Sequence, residues 1–156
     1  MSENTLKILN TILANQNYLK YVKYLTDYPL QGADISPADV FKNNVSLSHF
    51  REDIVTETQI TVFFCPYITR FKGTTLSDDD FLLVTVIPNE YWTIQNNTRI
   101  RAMEMAREVI ESIDQQYVAG IGKTEVIYHD TFKVNTKFQA SKMVIRVPNA
   151  AIIEGC

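Results

Sequence analysis

The longest helical pattern in the chain covers residues 97–116, between two groups of strand-like segments. Its apolar residues recur at steps of three and four positions, which is typical of a helix with one face in a core. This stripe contains Ile100, Met103, Ala106, Ile110 and Ile113, with Ala102 and Val109 at its margin. Asn96 or Asn97 is the expected helix cap. The pattern therefore predicts a long amphipathic helix that packs on a sheet.

Residues 1–28 predict an N-terminal helical region. Residues 2–14 place leucine and isoleucine on one side of a helix. Residues 18–28 form a second helical piece, in which tyrosines lie beside an apolar stripe, and Pro29 ends it. The tyrosines are interpreted as partly buried neighbours of that stripe, with Lys20 and Lys23 on the wet face. Two alternatives stay open: a stacking platform for single-stranded nucleic acid, and a subunit interface, where tyrosine is enriched.

Alternating and continuous apolar segments predict a sheet on either side of the long helix. In residues 54–64, apolar and polar side chains alternate, as in a strand with one face in the core and one in water. Residues 81–88 are apolar at nearly every position, which indicates a central strand covered on both faces. Further strand-like segments occupy residues 45–48, 123–129, 131–134 and 138–147.

Together these elements predict one α+β domain over residues 1–156, with a mixed or antiparallel sheet and the helices packed on one face. Residues 45–147 are its expected sheet-and-helix core, and residues 148–156 are an apolar C-terminal tail. A chain of this length buries about two thirds of its unfolded surface, so it needs no metal or disulfide to hold a core.

Overall charge and cysteine content indicate which classes of protein and which cellular compartment are expected. The formal net charge of −3 and the isoelectric point of about 5.4 argue against a protein that coats nucleic acid, because phosphate binding calls for a concentrated basic surface. Cys65 and Cys156 are too few for a disulfide framework, which favours a reducing interior. The N-terminus lacks the pattern of a signal peptide, and no apolar run approaches the length of a membrane span.

The sequence contains no recognisable catalytic constellation. His49 and His129 have no second ligand at zinc spacing, and the carboxylates at residues 78–80 are interpreted as a solvated strand start rather than a cation site. A nucleophilic pair of Cys65 and His129 stays open, because such partners meet only in the fold. The simpler interpretation makes Cys65 a small core residue. We therefore assign no catalytic residue, cofactor or metal.

Three regions are candidate contacts with another subunit or a partner. Residues 65–80 form a long connection between strands, interpreted either as an arm that reaches a neighbouring subunit or as a local hairpin. Two arginines lie in the first turn of the long helix, where the helix dipole disfavours cations, so a partner's carboxylate or solvent is expected to hold them. The apolar tail either tucks into the core or docks elsewhere. The candidate residues are Tyr67, Arg70, Phe71, Lys72, Leu76, Arg99, Arg101, Ile152 and Ile153.

The order of elements resembles a family of virion proteins. The passages that carry the likeness are ILNTILANQNYLKYVKYL at the start, the strand ending FFCP, the helix NTRIRAMEMAREVIESID, and KTEVIYHDTF followed by FQASKMVIRVP. In this layout, which covers most of the chain, the protein is similar to the tail-terminator and tail-completion proteins of tailed bacteriophages.

This resemblance implies a non-enzymatic virion protein, made in the host cytoplasm, that forms a ring at the head-proximal end of the tail. The ring is often a hexamer. Its implied partners are copies of itself, the tail tube, and neck or sheath proteins, with no membrane and no specific nucleic acid. The tyrosine-rich helical piece and the 65–80 connection depart from the usual layout and leave another neck or virion position open. A host-directed adaptor or inhibitor and a small cytoplasmic enzyme are the rival interpretations.

Overall fold

A computed structural model describes residues 3–72, 76–118 and 122–148. The N-terminal helices are α1 (Glu3–Leu13), α2 (Gln16–Lys23) and α3 (Pro37–Asn44). Asn15 breaks the first two helices apart, because its side-chain oxygen accepts a hydrogen bond from the Tyr18 amide at 3.2 Å and so caps α2. The helical piece predicted up to residue 28 is shorter than expected: α2 ends at Lys23, and Pro29 begins a separate 3-10 turn.

The strands form one larger sheet and two short pairs. They are β1 (Val45–Ser46), β2 (Thr61–Lys72), β3 (Leu76–Pro88), β4 (Thr93–Ile94), β5 (Arg99–Ile100), β6 (Tyr117–Val118), β7 (Gly122–Lys123), β8 (Glu125–Lys133) and β9 (Phe138–Pro148). The larger sheet has the order β1-β2-β3-β9-β8, in which β1 runs parallel to β2 and the other neighbours are antiparallel. The predicted α+β fold with a mixed sheet is confirmed, with β3 at its centre.

The main core lies between the helices and one face of this sheet. Helix α4 (Arg101–Ile113) packs with α1 and α2, and their buried apolar residues meet those of β2, β3 and β9. Phe64 and Phe81 stack within this core with ring centroids 5.7 Å apart. Asn15 also donates from Nδ2 to Ser112 Oγ at 2.9 Å, which ties the break between α1 and α2 to α4.

Helix α4 begins later than predicted and buries only part of the predicted stripe. Its N-cap position is Ile100, and the expected caps Asn96 and Asn97 instead take left-handed backbone conformations in the turn between β4 and β5. The buried apolar positions are Ala102, Met105, Ala106, Val109 and Ile113. Ile100, Met103 and Ile110 of the predicted stripe are 41%, 49% and 40% exposed. Both stripes have helical spacing, so only packing against the sheet decides between them.

The second face of the sheet is covered in part, contrary to the wet face predicted for residues 54–64. Phe63, which lies on that face, is 1% exposed and meets Phe50 edge to face at 5.4 Å. The segment before β2 is not a strand over residues 54–60, because Glu52–Ile54 form a 3-10 turn and β2 begins at Thr61. Phe50 and Val55 instead pack over the sheet, so the polar positions between them face away from it.

The connection predicted at residues 65–80 is mostly strand. Strand β2 continues to Lys72 and β3 begins at Leu76. The two strands have a bulge at residues 66–68, and beyond it they pair in regular register, from Ile68 with Asp80 to Lys72 with Leu76. Of the two interpretations, the local hairpin is therefore the one observed. Similarly, the segments predicted at residues 123–129 and 131–134 contribute to a single strand, β8.

Candidate interaction surface

The far end of the β2–β3 hairpin exposes large apolar side chains. We call residues 65–72 and 76–80 the distal hairpin. Tyr67 and Ile68 are 48% and 38% exposed there, although both are large apolar side chains. The predicted contact residues Arg70, Phe71, Lys72 and Leu76 belong to the same segment, with the last three placed here by backbone alone. The structure thus brings this group of candidates together on one hairpin.

A buried carboxylate anchors the distal hairpin to the rest of the sheet. Asp80 is 1% exposed, so the solvated strand start predicted at residues 78–80 is wrong at this position. Its Oδ2 accepts from Arg70 Nε at 3.1 Å, and its Oδ1 accepts from Arg146 Nε at 3.0 Å. Arg146 lies on β9, directly opposite Asp80 in the ladder, and the hydrogen bond to Asp80 raises the pKa of this guanidinium. One carboxylate therefore connects β2, β3 and β9.

Strand β8, at the opposite edge of the sheet, carries a second group of exposed apolar side chains. Ile127, Tyr128 and Phe132 are 38%, 46% and 39% exposed. Lys142 Nζ lies 5.5 Å from the Tyr128 ring centroid, and Phe132 meets Phe50 edge to face at 6.4 Å. This surface was not among the contacts predicted from the sequence. Apolar and polar residues do not alternate regularly along β8, which is the pattern of a strand that is exposed on both faces.

The guanidinium of Arg101 lies inside the protein. Arg101 is 1% exposed, so the expectation that it contacts a partner or solvent is wrong. Its nitrogens donate to backbone carbonyl oxygens, with Nε 2.8 Å from Tyr91 O and Nη1 2.7 Å from Tyr21 O. Nη1 also reaches Tyr24 O, and Nη2 reaches Thr26 O, at 3.1 and 3.0 Å. The carbonyls of Tyr21, Tyr24 and Thr26 belong to the end of α2 and the residues after it, where a helix leaves acceptors unpaired and favours a cation.

Burial changes the electrostatics of Arg101 without discharging it. Loss of water around the guanidinium lowers the pKa of Arg101 to about 10. The group is therefore still a cation at neutral pH. Its unfavourable position in the first turn of α4 is explained by its favourable position at the C-terminal end of α2.

Arg99 and the outer face of α4 remain on the surface. Arg99 Nη1 lies 3.1 Å from Glu104 Oε1, and Arg107 Nη1 lies 3.5 Å from the other oxygen of the same carboxylate. A carboxylate of the same chain, that of Glu104, thus pairs with Arg99, where the sequence predicted a partner's carboxylate or solvent. Exposed pairs of this kind contribute little to stability. The side chains of Met103 and Ile110 lie exposed on the same helix.

The structure separates the residues of the candidate nucleophilic pair. Cys65 lies on β2 and His129 on β8, three strand spacings or about 14 Å apart. The nearest histidine to the thiol is His49, whose Nδ1 lies 3.4 Å from Cys65 Sγ. Burial raises the pKa of the Cys65 thiol and lowers the pKa of His129. Among the described residues, no group of three His, Cys, Asp or Glu side chains is placed to hold a metal ion.

We expect the Cys65 thiol to react slowly, because it is 5% exposed and its pKa is raised by burial. In a Cys156→Ser variant, labelling with a thiol-specific disulfide reagent at pH 8 should be at least about tenfold slower in the folded protein than in urea. Equal rates in the two states would instead indicate an activated cysteine and would support the enzyme interpretation.

Comparison with protein families bears on the origin of this chain. The family model YomW matches residues 15–147, a range that runs from the cap of α2 into β9. The chain belongs to the YomW family. This family is phage-associated, which agrees with the phage origin implied by the layout of elements. A search of curated proteins gave no match.

The part of the chain matched to the YomW family contains the distal hairpin, α4 and β8. Of the predicted contact residues, Tyr67, Arg70 and Arg99 lie at the surface, whereas Arg101 is internal. The tail residues Ile152 and Ile153 lie outside the described residues. No helix in the described part of this YomW-family protein is long and apolar enough to cross a membrane.

Proposed function

We propose that this protein is a non-enzymatic virion subunit that forms a ring at the head-proximal end of a phage tail, as a tail terminator or neck protein. The proposal is supported by the phage association of the YomW family. It is also supported by the element order, because helices, a hairpin, a long helix and a closing strand pair follow one another as in the tail-terminator layout. The proposed partners are copies of itself, the tail tube, and neck or sheath proteins.

The observation that carries the proposal is the presence of two different exposed apolar patches on one sheet. One is the distal hairpin with Tyr67 and Ile68, and the other is β8 with Ile127, Tyr128 and Phe132. A ring built by repeating one contact around an axis needs two unlike patches on each subunit, whereas a two-fold dimer needs only one. The patches lie toward opposite edges of the sheet, so one subunit can contact two neighbours through them.

The ring has a direct test in solution and in the virion. Light scattering coupled to size-exclusion chromatography should give a mass several times the 17.9 kDa of the chain, with a hexamer as the specific expectation. Negative-stain images should show closed rings, and mass spectrometry of purified phage particles should detect the protein. A strictly monomeric protein, even with tail tubes present, contradicts the proposal. Capture of a single host protein without particles favours an adaptor or inhibitor instead.

A further inference from the structure

Both edges of the main sheet are open in the part of the chain that the structure describes. Strand β1 covers β2 only where Val45 and Ser46 face Val62 and Phe63. Beyond those pairs, residues 64–72 of β2 have β3 as their only described strand neighbour. At the other end, β8 pairs with β9 alone among the described strands.

An open edge presents unpaired amides and carbonyls that can receive another strand. Each edge has a bulge, at residues 66–68 in β2 and at residues 126–128 in β8, which protects part of it. Past each bulge the register is regular, from Ile68 to Lys72 and from Tyr128 to Lys133. The two regular stretches are similar in length, and neither is covered by another described strand.

The hydrogen bonds of β8 indicate which of its backbone groups face outward. The Thr131 amide donates to the carboxylate of Asp130 at 2.8 Å, so it is turned away from the ladder with β9. Since backbone groups alternate sides along a strand, the amides of His129 and Lys133 point the same way. The carboxylate of Asp130 is exposed and can swing away from the Thr131 amide when another acceptor approaches.

We propose that residues 68–72 of β2 in one subunit pair with residues 128–133 of β8 in the next subunit, so that the sheet continues from subunit to subunit. This inference rests on the proposed ring and specifies how its subunits join. The strand that pairs with each edge belongs to a second copy of this chain. Each subunit carries one open β2 edge and one open β8 edge, so in a closed ring every β2 edge meets the β8 edge of a neighbour.

Charge also favours pairing of unlike edges. Residues 68–72 carry Arg70 and Lys72 and no acidic residue, which gives +2. Residues 128–133 carry Asp130 and Lys133, which gives −1 + 1 = 0 with histidine neutral. Pairing β2 with β2 brings two segments of charge +2 together, whereas pairing β2 with β8 avoids this repulsion and adds the carboxylate of Asp130 to the contact. Two copies joined through β8 alone leave both β2 edges open.

A matched pair of substitutions at Thr131 tests the backbone contact. Thr131→Pro removes the outward amide without removing a donor to β9, whereas Thr131→Val keeps the amide and the branched shape. We expect Thr131→Pro to shift the assembly to monomers in light scattering, and Thr131→Val to remain assembled. In the wild-type ring, exchange of the His129 and Lys133 amides should be at least about tenfold slower than in the monomeric variant, as expected when each of these outward amides gains one hydrogen bond.

Cross-linking of mixed subunits tests the pairing independently of whether Thr131→Pro folds. One preparation carries Thr69→Cys and another carries Thr131→Cys, both with Cys156→Ser. A short bifunctional maleimide should join the two kinds of subunit to each other. Thr131→Cys joined mainly to itself overturns the inference in favour of a β8 dimer. A ring that persists in Thr131→Pro without mixed cross-links overturns the inference but leaves the proposed function intact, and a wild type that never forms a ring overturns both.

Discussion

Replacing Arg101 with methionine should lower the free energy of unfolding by about 3–5 kcal/mol. The substitution keeps an apolar stem of similar length but leaves the carbonyl oxygens of Tyr21, Tyr24, Thr26 and Tyr91 without their common donor. Buried acceptors that lose a partner incur their full desolvation cost. Urea unfolding followed by far-ultraviolet circular dichroism measures the change. Arg101→Lys should lose less, because it retains the charge but cannot reach all of these oxygens at once.

Arg107 provides the matched control on the same helix. Its side chain is 59% exposed and pairs with Glu104 at 3.5 Å, so Arg107→Met should change stability by less than about 0.5 kcal/mol. Similar losses for Arg101→Met and Arg107→Met would mean that the buried contacts of Arg101 are not what joins α2 to α4. Because the pKa of Arg101 falls only to about 10, the Arg101 contribution should not vary between pH 6 and pH 8.

Replacing Asp80 with alanine should destabilise the protein by about 2–3 kcal/mol, with the largest local effect in the distal hairpin. The change removes the carboxylate that both Arg70 and Arg146 use, and leaves two guanidinium groups close together without their shared partner. The estimate stays below that for a fully buried pair because the Arg70 and Arg146 side chains are 48% and 30% exposed. Hydrogen exchange should speed up in residues 65–72 before it does in residues 81–88.

Asp79 is the control for this effect, since it is the next residue along β3 and its side chain points to the other face of the sheet. Asp79→Ala removes the same charge from the chain but should leave exchange in residues 65–72 unchanged. Equal acceleration in the two variants would show that net charge, rather than the bridge at Asp80, holds the distal hairpin in place. Asp80→Asn should fall between wild type and Asp80→Ala, because the amide retains one acceptor oxygen.

These two residues have related roles in the architecture. Arg101 connects the end of α2 to the start of α4 across 80 positions of sequence, and Asp80 connects β3 to β9 across 66. One holds the helical layer together, and the other holds the hairpin in the plane of the sheet. The proposed subunit contact needs that plane to be maintained, because strand pairing between copies requires both edges to present their backbone groups in line.

Several elements could be predicted because their signal is local. The break between α1 and α2 coincides with a cluster of Asn and Gln side chains, one of which caps α2. The side chains of β9 alternate between the two faces of the sheet, as the period of a strand dictates, with Phe138 and Ala140 in one cluster and Met143 and Ile145 in the other. The central position of β3 follows from its continuous apolar run.

Other predictions failed where two arrangements satisfy the same pattern. Along α4, Met103 and Met105 both fit a helical stripe, and only contact with the sheet buries the second rather than the first. Residues 54–60 alternate as a strand does, but Val55 packs against the cluster that contains Phe63 instead of joining the ladder. Of the two exposed apolar patches, the sequence pointed to the distal hairpin as a candidate contact but not to β8.

The sequence by itself determined most of the segments that become helix or strand, the α+β class, and the layout that resembles phage tail-terminator proteins, because apolar periodicity and capping are properties of neighbouring residues. Only the tertiary structure decided where the charges of Arg101 and Asp80 go, which stripe of α4 is buried, and which strands lie at the edges. Those outcomes depend on groups that meet across tens of residues of sequence, and no local pattern encodes which carbonyl, guanidinium or strand will be the partner.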